Sequence, residues 1–299
     1  MKERIEALKK EKNAVILAHY YAPAEVQALA DYVGDSFYLA KMAARTTAEQ
    51  LVFCGVSFMG ESAKLLNPEK KVLMPFPGAD CPMAHMVAPG AIARMREKYE
   101  DLCVVCYINS TAALKSESDV CVTSSNAVKI VRTLPQKNIF FIPDRNLGRY
   151  VAEQVPEKNI LLNDGCCPIH ASLTPGAVQA LRTAHPTACV MAHPECEADV
   201  LACSDYIGST ADMLRYAATC TAKEMIVCTE EGVLYGLKQA CPQKTFYFPT
   251  PSPCCRDMKY NTVERVLAAL ENGEGEVILE EAVCRRARLP LERMLELAK

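Results

Sequence analysis

Short, continuous apolar runs recur along the chain, each closed by a polar or aromatic residue. Three stand out: Ala14-Val15-Ile16-Leu17-Ala18 before His19, Leu102-Cys103-Val104-Val105-Cys106 before Tyr107, and Ala188-Cys189-Val190-Met191-Ala192 before His193. Runs this short without polar alternation predict parallel strands buried on both faces. About 30 residues further come Leu51-Val52-Phe53-Cys54, Ile139-Phe140-Phe141-Ile142 and Met225-Ile226-Val227-Cys228. Third runs follow at Val72-Leu73-Met74, Ile160-Leu161-Leu162 and Phe246-Tyr247-Phe248. A charged amphipathic segment, Met1 to Lys10, precedes the first run, and Val263, Val266, Leu267 and Leu270 stand at helical spacing in a tail that should pack back on the body.

Taking His19, Tyr107 and His193 as equivalent gives shifts of 88 and 86 residues (107 − 19 and 193 − 107). Twelve residues past each anchor is an Asp (Asp31, Asp119, Asp205), and seventeen past it a hydroxyl (Ser36, Ser124, Thr210) that opens a helical stretch, where an N-cap belongs. Strands about 30 residues apart are common to α/β proteins, whereas an Asp and a hydroxyl at one offset in three places are not. The pattern predicts an α/β protein of three homologous three-layer αβα domains, each built as strand-helix-strand-helix-strand, with parallel sheets around a pseudo-threefold axis. The units span 1–87, 88–172 and 173–258, with the tail 259–299 completing the first. The three Asp fall in helical stretches and read as stabilising their own units.

Composition narrows the function. Half of the 299 residues are hydrophobic and 23% charged, as in a chain that buries a core. With 33 basic against 36 acidic residues there is no electrostatic footprint for nucleic acid, and no stretch of ~20 apolar residues to span a membrane. The charged start carries no apolar signal core, which predicts a cytoplasmic location. Sixteen Cys are the outlying number; a chain this long and hydrophobic needs no disulfide staples, so small buried hydrophobes plus a soft-metal site account for them better.

Three cysteines recur after the third strands, at offsets of 62, 60 and 62 residues from the anchors: Cys81 in Asp80-Cys81-Pro82, Cys167 in Cys166-Cys167-Pro168 and Cys255 in Cys254-Cys255-Arg256. Open α/β sheets place ligands at the carboxyl ends of their strands, so three such loops around an axis converge on one point. Three thiolates there make a soft-metal site with one coordination position left for a substrate. Spacing slightly favours the second member of each doublet. Cys103 and Cys106 form a CxxC inside a strand, where residues three apart face opposite sides, and read as core with Cys54, Cys189 and Cys228.

The sequence resembles the quinolinate synthase family through Ala18-His19-Tyr20-Tyr21, Ala30-Asp31-Tyr32-Val33-Gly34-Asp35-Ser36, Tyr107-Ile108-Asn109-Ser110, His193-Pro194-Glu195-Cys196 and the three cysteine loops, from about residue 14 to residue 260. The resemblance implies a triangle of αβα domains with one 4Fe-4S cluster per chain, held in a central cleft by Cys81, Cys167 and Cys255. It further implies condensation of iminoaspartate with dihydroxyacetone phosphate to quinolinate in de novo NAD biosynthesis, and transient contact with the L-aspartate oxidase or dehydrogenase that supplies iminoaspartate. Asn163-Asp164 and Arg256 depart from the family's loop pattern and leave the cysteines in place.

Both implied substrates are anions. Free N–H groups at the helix starts near Ser36, Ser124 and Thr210 suit carboxylates and phosphate. His19, Tyr107 and His193 orient substrate from the strand ends, joined by Asn109 and by Ile108 and Pro194 within the same motifs. Glu195 is the best-placed carboxylate to move protons, with Tyr21 as its partner and His193 and Tyr107 beside them; His170, three residues after Cys167, stands near the metal. The open iron acts as a Lewis acid. An iron–sulfur sensor would account for the cysteines but not for the hydroxyls or His193-Pro194-Glu195.

Overall fold

The computed structural model describes residues 1–299. Twelve strands form three separate parallel sheets. The first contains β1 (Ala14–His19), β2 (Tyr32–Gly34), β3 (Gln50–Cys54) and β4 (Lys71–Leu73), in the order β2-β1-β3-β4. The second repeats that order with β5 (Leu102–Tyr107), β6 (Val120–Val122), β7 (Asn138–Ile142) and β8 (Asn159–Leu162). The third does so with β9 (Cys189–Ala192), β10 (Tyr206–Ile207), β11 (Glu224–Cys228) and β12 (Thr245–Tyr247). Helices on the sheet faces bury the central strands, which is why those sequences are continuous apolar runs.

Each sheet has one strand more than the sequence pattern predicts. The additional strands, β2, β6 and β10, are only two or three residues long, too short for any hydrophobic periodicity to register. The Asp before each also lies outside a helix. Asp31, Asp119 and Asp205 sit in bends and accept the N–H of Ile16 (2.8 Å), Val104 (2.7 Å) and Val190 (2.7 Å). Their own N–H groups donate back to the carbonyls of the same residues at 2.9, 3.0 and 2.8 Å. A basic side chain closes each brace: Lys9, Arg96 and Arg182, at 2.7, 3.0 and 2.7 Å. The recurring Asp thus pins the short strand to the first strand of its sheet.

The hydroxyls also shift relative to the expected caps. Asp35 and Ser209 are the N-caps, with side chains accepting from Tyr38 N–H and Asp212 N–H, and Ser36 and Thr210 are the first helical residues. In the second unit the N-cap is Asn126, whose Oδ1 accepts from Thr123 N–H at 2.7 Å, and Ser124 precedes it. None of the three predicted hydroxyls is used up in capping.

The tail spans two units. Helix Val263–Asn272 packs on helix Lys2–Glu11 and on β3, and Glu276 bridges the edge of the first sheet at Leu73. The last helix, Glu281–Leu297, lies on β6 and the helices Ala112–Ser116 and Ser57–Leu66. Ala287, Leu291 and Met294 thereby enter an apolar core shared by the first and second units, whereas the third keeps a core on each face of its own sheet. No helix is long and apolar enough to cross a membrane.

The brace predicts that Asp119→Ala lowers the unfolding free energy by about 1–3 kcal/mol, because the Val104 N–H is fully buried and loses its acceptor. Denaturant titration of metal-free protein measures this, with Asp119→Asn expected to lose less, because its amide oxygen can still accept the Val104 N–H.

Candidate functional site

All three sheets contribute their carboxyl ends to one cavity of about 280 Å³. His19 and Tyr21 enter from β1, Tyr107 and Asn109 from β5, and His193 and Glu195 from β9. Ser36, Ser124 and Thr210 line it from the segments after the short strands, and Cys81, Cys167 and Cys255 from the loops after the last strands. The sequence expectation that these positions share one cleft is met, with two exceptions. Pro194 is buried away from the lining, and Ile108 projects into a separate small void with Phe58 and Met59 and belongs to the core.

The histidines at two strand ends are held alike. Nδ1 of His19 accepts Tyr21 N–H at 3.2 Å, and Nδ1 of His193 accepts Glu195 N–H at 3.3 Å. Burial pushes both rings down to a pKa of about 3, so they are neutral with the proton on Nε2. The His193 Nε2 meets Ser124 Oγ at 3.2 Å.

Around them runs a buried polar chain. The Tyr21 hydroxyl is 2.9 Å from Thr210 Oγ1 and 2.8 Å from Thr229 Oγ1, and Thr229 Oγ1 is 2.8 Å from His170 Nε2. His170 Nδ1 approaches Glu195 Oε2 to 2.7 Å, off the line of a well-aligned hydrogen bond, and His193 Nδ1 stands 3.5 Å from the same oxygen. Burial opposes the Glu195 charge, but His170, His193 and Tyr107 outweigh it and hold the carboxyl below the usual carboxylate range. Burial and the Glu195 charge push Tyr21 and Tyr107 well above the usual phenol range, so both remain proton donors. The Glu195 Oε1 and Asn109 Oδ1 atoms are buried without a partner in the protein. Both residues line the cavity, and a buried acceptor without a partner there leaves room for a donor that the protein does not supply.

The three recurring cysteines share one backbone setting. Each is the extended N-cap of a single helical turn: Cys81 before Pro82–His85, Cys167 before Pro168–Ala171 and Cys255 before Arg256–Lys259. Cys166 is outside the cavity lining; Cys254 lines it but groups with Glu230 and Glu231. Burial pushes the Cys81 thiol up to about 12, that of Cys167 well above the usual range and that of Cys255 upward, and the Cys81 thiol is raised further by Cys255. Three buried thiols lining one cavity from equivalent loops are a donor set that suits a soft metal ion. Cys167, His170 and Glu195 also offer ligand atoms within 4.8 Å of one another, a group that could hold a metal ion.

Thr229, Asp144 and Glu230 were not singled out from the sequence. Asp144 and Glu230 stand at one offset, 37 residues past Tyr107 and His193, but the first unit has Val56 there, so a search for threefold recurrence passes over them. Thr229 has no counterpart hydroxyl, since Pro143 occupies the equivalent position.

The sequence profile described as Quinolinate synthetase A protein matches residues 3–296. The quinolinate synthase of Caldicellulosiruptor saccharolyticus is 49% identical over 298 residues, covering 100% of this chain and 98% of its own. That of Fusobacterium nucleatum subsp. nucleatum is 49% identical over 298 residues, with coverage of 100% and 99%. An archaeal quinolinate synthase, from Methanosarcina barkeri, is 47% identical over 293 residues, covering 98% of this chain and 96% of its own. With similarity of this depth running from end to end, and three sheets converging on one polar, thiol-lined cavity, the chain belongs to the quinolinate synthase family.

Proposed function

We propose that this chain condenses iminoaspartate with dihydroxyacetone phosphate to give quinolinate, phosphate and water, as a cytoplasmic enzyme of NAD biosynthesis. The observation that carries the reading is the composition of one cavity: three equivalent thiols, three hydroxyls not used in capping, and the buried Glu195 carboxylate among His and Tyr side chains. Cys81, Cys167 and Cys255 would hold one 4Fe-4S cluster, which supplies Lewis acidity at an iron left without a protein ligand. Soft thiols lining one cavity from three equivalent loops fit such a group. Transient delivery of the unstable imine by the oxidase or dehydrogenase that makes it is part of the same proposal.

The chain's own residues divide the remaining work. Ser36, Ser124 and Thr210, with the unpaired N–H groups of the turns they open, take the phosphate and carboxylates without a positive side chain. The Nε2–H groups of His19 and His193 and the hydroxyl of Tyr107 donate to substrate oxygens and fix its orientation. Asn109 offers its orphaned Oδ1 to an imine or ammonium proton. Glu195, ionised with Oε1 free, accepts the carbon-bound proton that enamine formation and isomerisation release. Tyr21, protonated and joined to Thr210 and Thr229, donates to a departing hydroxyl. The path through Thr229 and His170 leads back to Glu195, so the acid and the base are linked inside the protein.

Assay of anaerobically purified protein with both substrates tests the proposal directly. Wild-type protein should contain about four irons per chain and form quinolinate. Cys81→Ala, Cys167→Ala and Cys255→Ala should each lose iron and activity together, and Cys166→Ala neither. Iron-free wild-type protein that still makes quinolinate refutes the Lewis-acid role.

Glu195→Gln should lower kcat by about 10²–10⁴-fold with iron content unchanged. A similar fall confined to KM would instead make Glu195 a binding group.

Because burial raises the pKa of all three thiols, the metal-free chain holds them protonated at neutral pH, and metal must displace those protons. Affinity for a thiophilic ion should therefore rise with pH through the neutral range, with proton release on binding measured by an indicator dye.

A further inference from the structure

The backbone N–H of each cysteine assigned to the metal donates to a carboxylate: Cys81 to Asp80 Oδ1 at 2.8 Å, Cys167 to Asp144 Oδ2 at 3.1 Å and Cys255 to Glu230 Oε1 at 3.0 Å. Asp144 and Glu230 both lie two residues beyond the third strand of their unit, after Ile142 and Cys228. They are 0% and 1% exposed. Each uses its second oxygen on the turn it belongs to: Asp144 Oδ1 accepts Leu147 N–H and Glu230 Oε2 accepts Gly232 N–H, both at 2.7 Å. In the first unit Val56 occupies the equivalent position. There Ser57, next to it, donates its hydroxyl to Asp80, so the carboxylate has moved to the cysteine loop while the link from strand end to loop persists.

The same turns hold residues of the polar chain. Asn146, two residues after Asp144 and fully buried, donates to the Glu195 carbonyl at 3.1 Å. Lys259 Nζ lies 2.8 Å from Glu230 Oε1 and donates to the Tyr21 carbonyl at 2.8 Å. A buried carboxylate is costly unless its oxygens are fully engaged, and Asp144 has no cation in contact with it, so its retention there needs a reason. Two N–H donors from different segments require two acceptor oxygens on one rigid group; an amide offers one.

We infer that Asp144 and Glu230, with Asp80 as their first-unit counterpart, are positioning residues that tie each cysteine loop to a strand end, so that the thiols are placed relative to Glu195 and Tyr21 before any metal arrives. This rests on the proposed role of Cys81, Cys167 and Cys255. The test is the rate at which iron-loaded, anaerobic protein surrenders iron to a chelator, for Asp144→Asn, Glu230→Gln, wild type and Asp164→Asn. Asp164 is 98% exposed in its side chain and close to Cys166, so it controls for loss of a carboxylate near the loop. Release about 10-fold faster in the first two variants, unchanged in the third, supports the inference. The global unfolding rate of each variant is measured alongside and should stay near wild type.

Wild-type release in both variants overturns it, as does faster release matched by equally faster unfolding, which is the mark of a merely structural role. If Asp144→Asn fails to fold, Glu230→Gln carries the test alone. A wild-type chain that takes up no iron counts against the proposed function rather than this inference. Cd(II) titration of the metal-free chain then decides: affinity about 10-fold weaker in the variants sustains the positioning role, and equal affinity overturns it.

Discussion

The placement of the three hydroxyls in the cavity depends on the reciprocal pairing between an Asp and the first strand of its sheet. Asp31, Asp119 and Asp205 each give an N–H to, and take an N–H from, one residue of that strand, a pairing a neighbouring strand would normally supply. The short strand that follows is too brief to hold its own register, so the carboxylate holds it. Register then decides where the chain leaves the sheet, and with it where Ser36, Ser124 and Thr210 sit. A shift of one residue would turn those hydroxyls away from the cavity. The basic partner in each brace is partly exposed and adds little on its own; the buried N–H groups make the arrangement costly to lose.

The cavity's electrostatics follow from dryness rather than from net charge. The chain carries a formal charge of only −3 and lines the cavity with few cations. Burial keeps His19 and His193 neutral and the tyrosines and thiols protonated, while Glu195 stays ionised among them. Such a site would bind anions through oriented dipoles, which can be directional where a lysine is not, and at less desolvation cost than a buried cation. Against the effect of burial, His170 and His193 already hold the Glu195 carboxyl down, which weakens it as a base. A lysine beside Glu195 would neutralise the carboxylate that the proposed chemistry needs.

What could be read from the sequence was what repeats. The anchors His19, Tyr107 and His193, the hydroxyls seventeen residues on and the three cysteines recur at nearly fixed offsets because each unit folds the same way, and they meet because parallel strands point one way. Short strands left no periodic trace, and the caps were displaced by one residue or more because Asp35, Ser209 and Asn126 compete for the same role as their neighbours. Ile108 and Pro194 sit in motifs whose other members reach the cavity, yet Ile108 lies in the apolar core and Pro194 is buried outside the lining. Thr229, Asp144 and Glu230 were invisible for a different reason: their partners, Tyr21, Cys167 and Cys255, are distant in sequence, and two of these pairings form only where units meet or loops return.

Departures from the repeat have a physical logic as well. An exact threefold cavity would present the same group three times, which suits a symmetric ion but not two different substrates joined in one orientation. The part proposed to bind metal, the cysteine and its one-turn helix, is the part kept alike in all units. The strand ends diverge: histidine with tyrosine two residues on, tyrosine with asparagine, histidine with glutamate. The carboxylate that supports each cysteine loop diverges in the first unit, where it is half-exposed, and stays put where it is buried in the other two. Asp80 is half-exposed and also bonds His85, whereas Asp144 and Glu230 are sealed. Duplication thus supplied three equal walls, and the chemistry resides in the residues by which the walls came to differ.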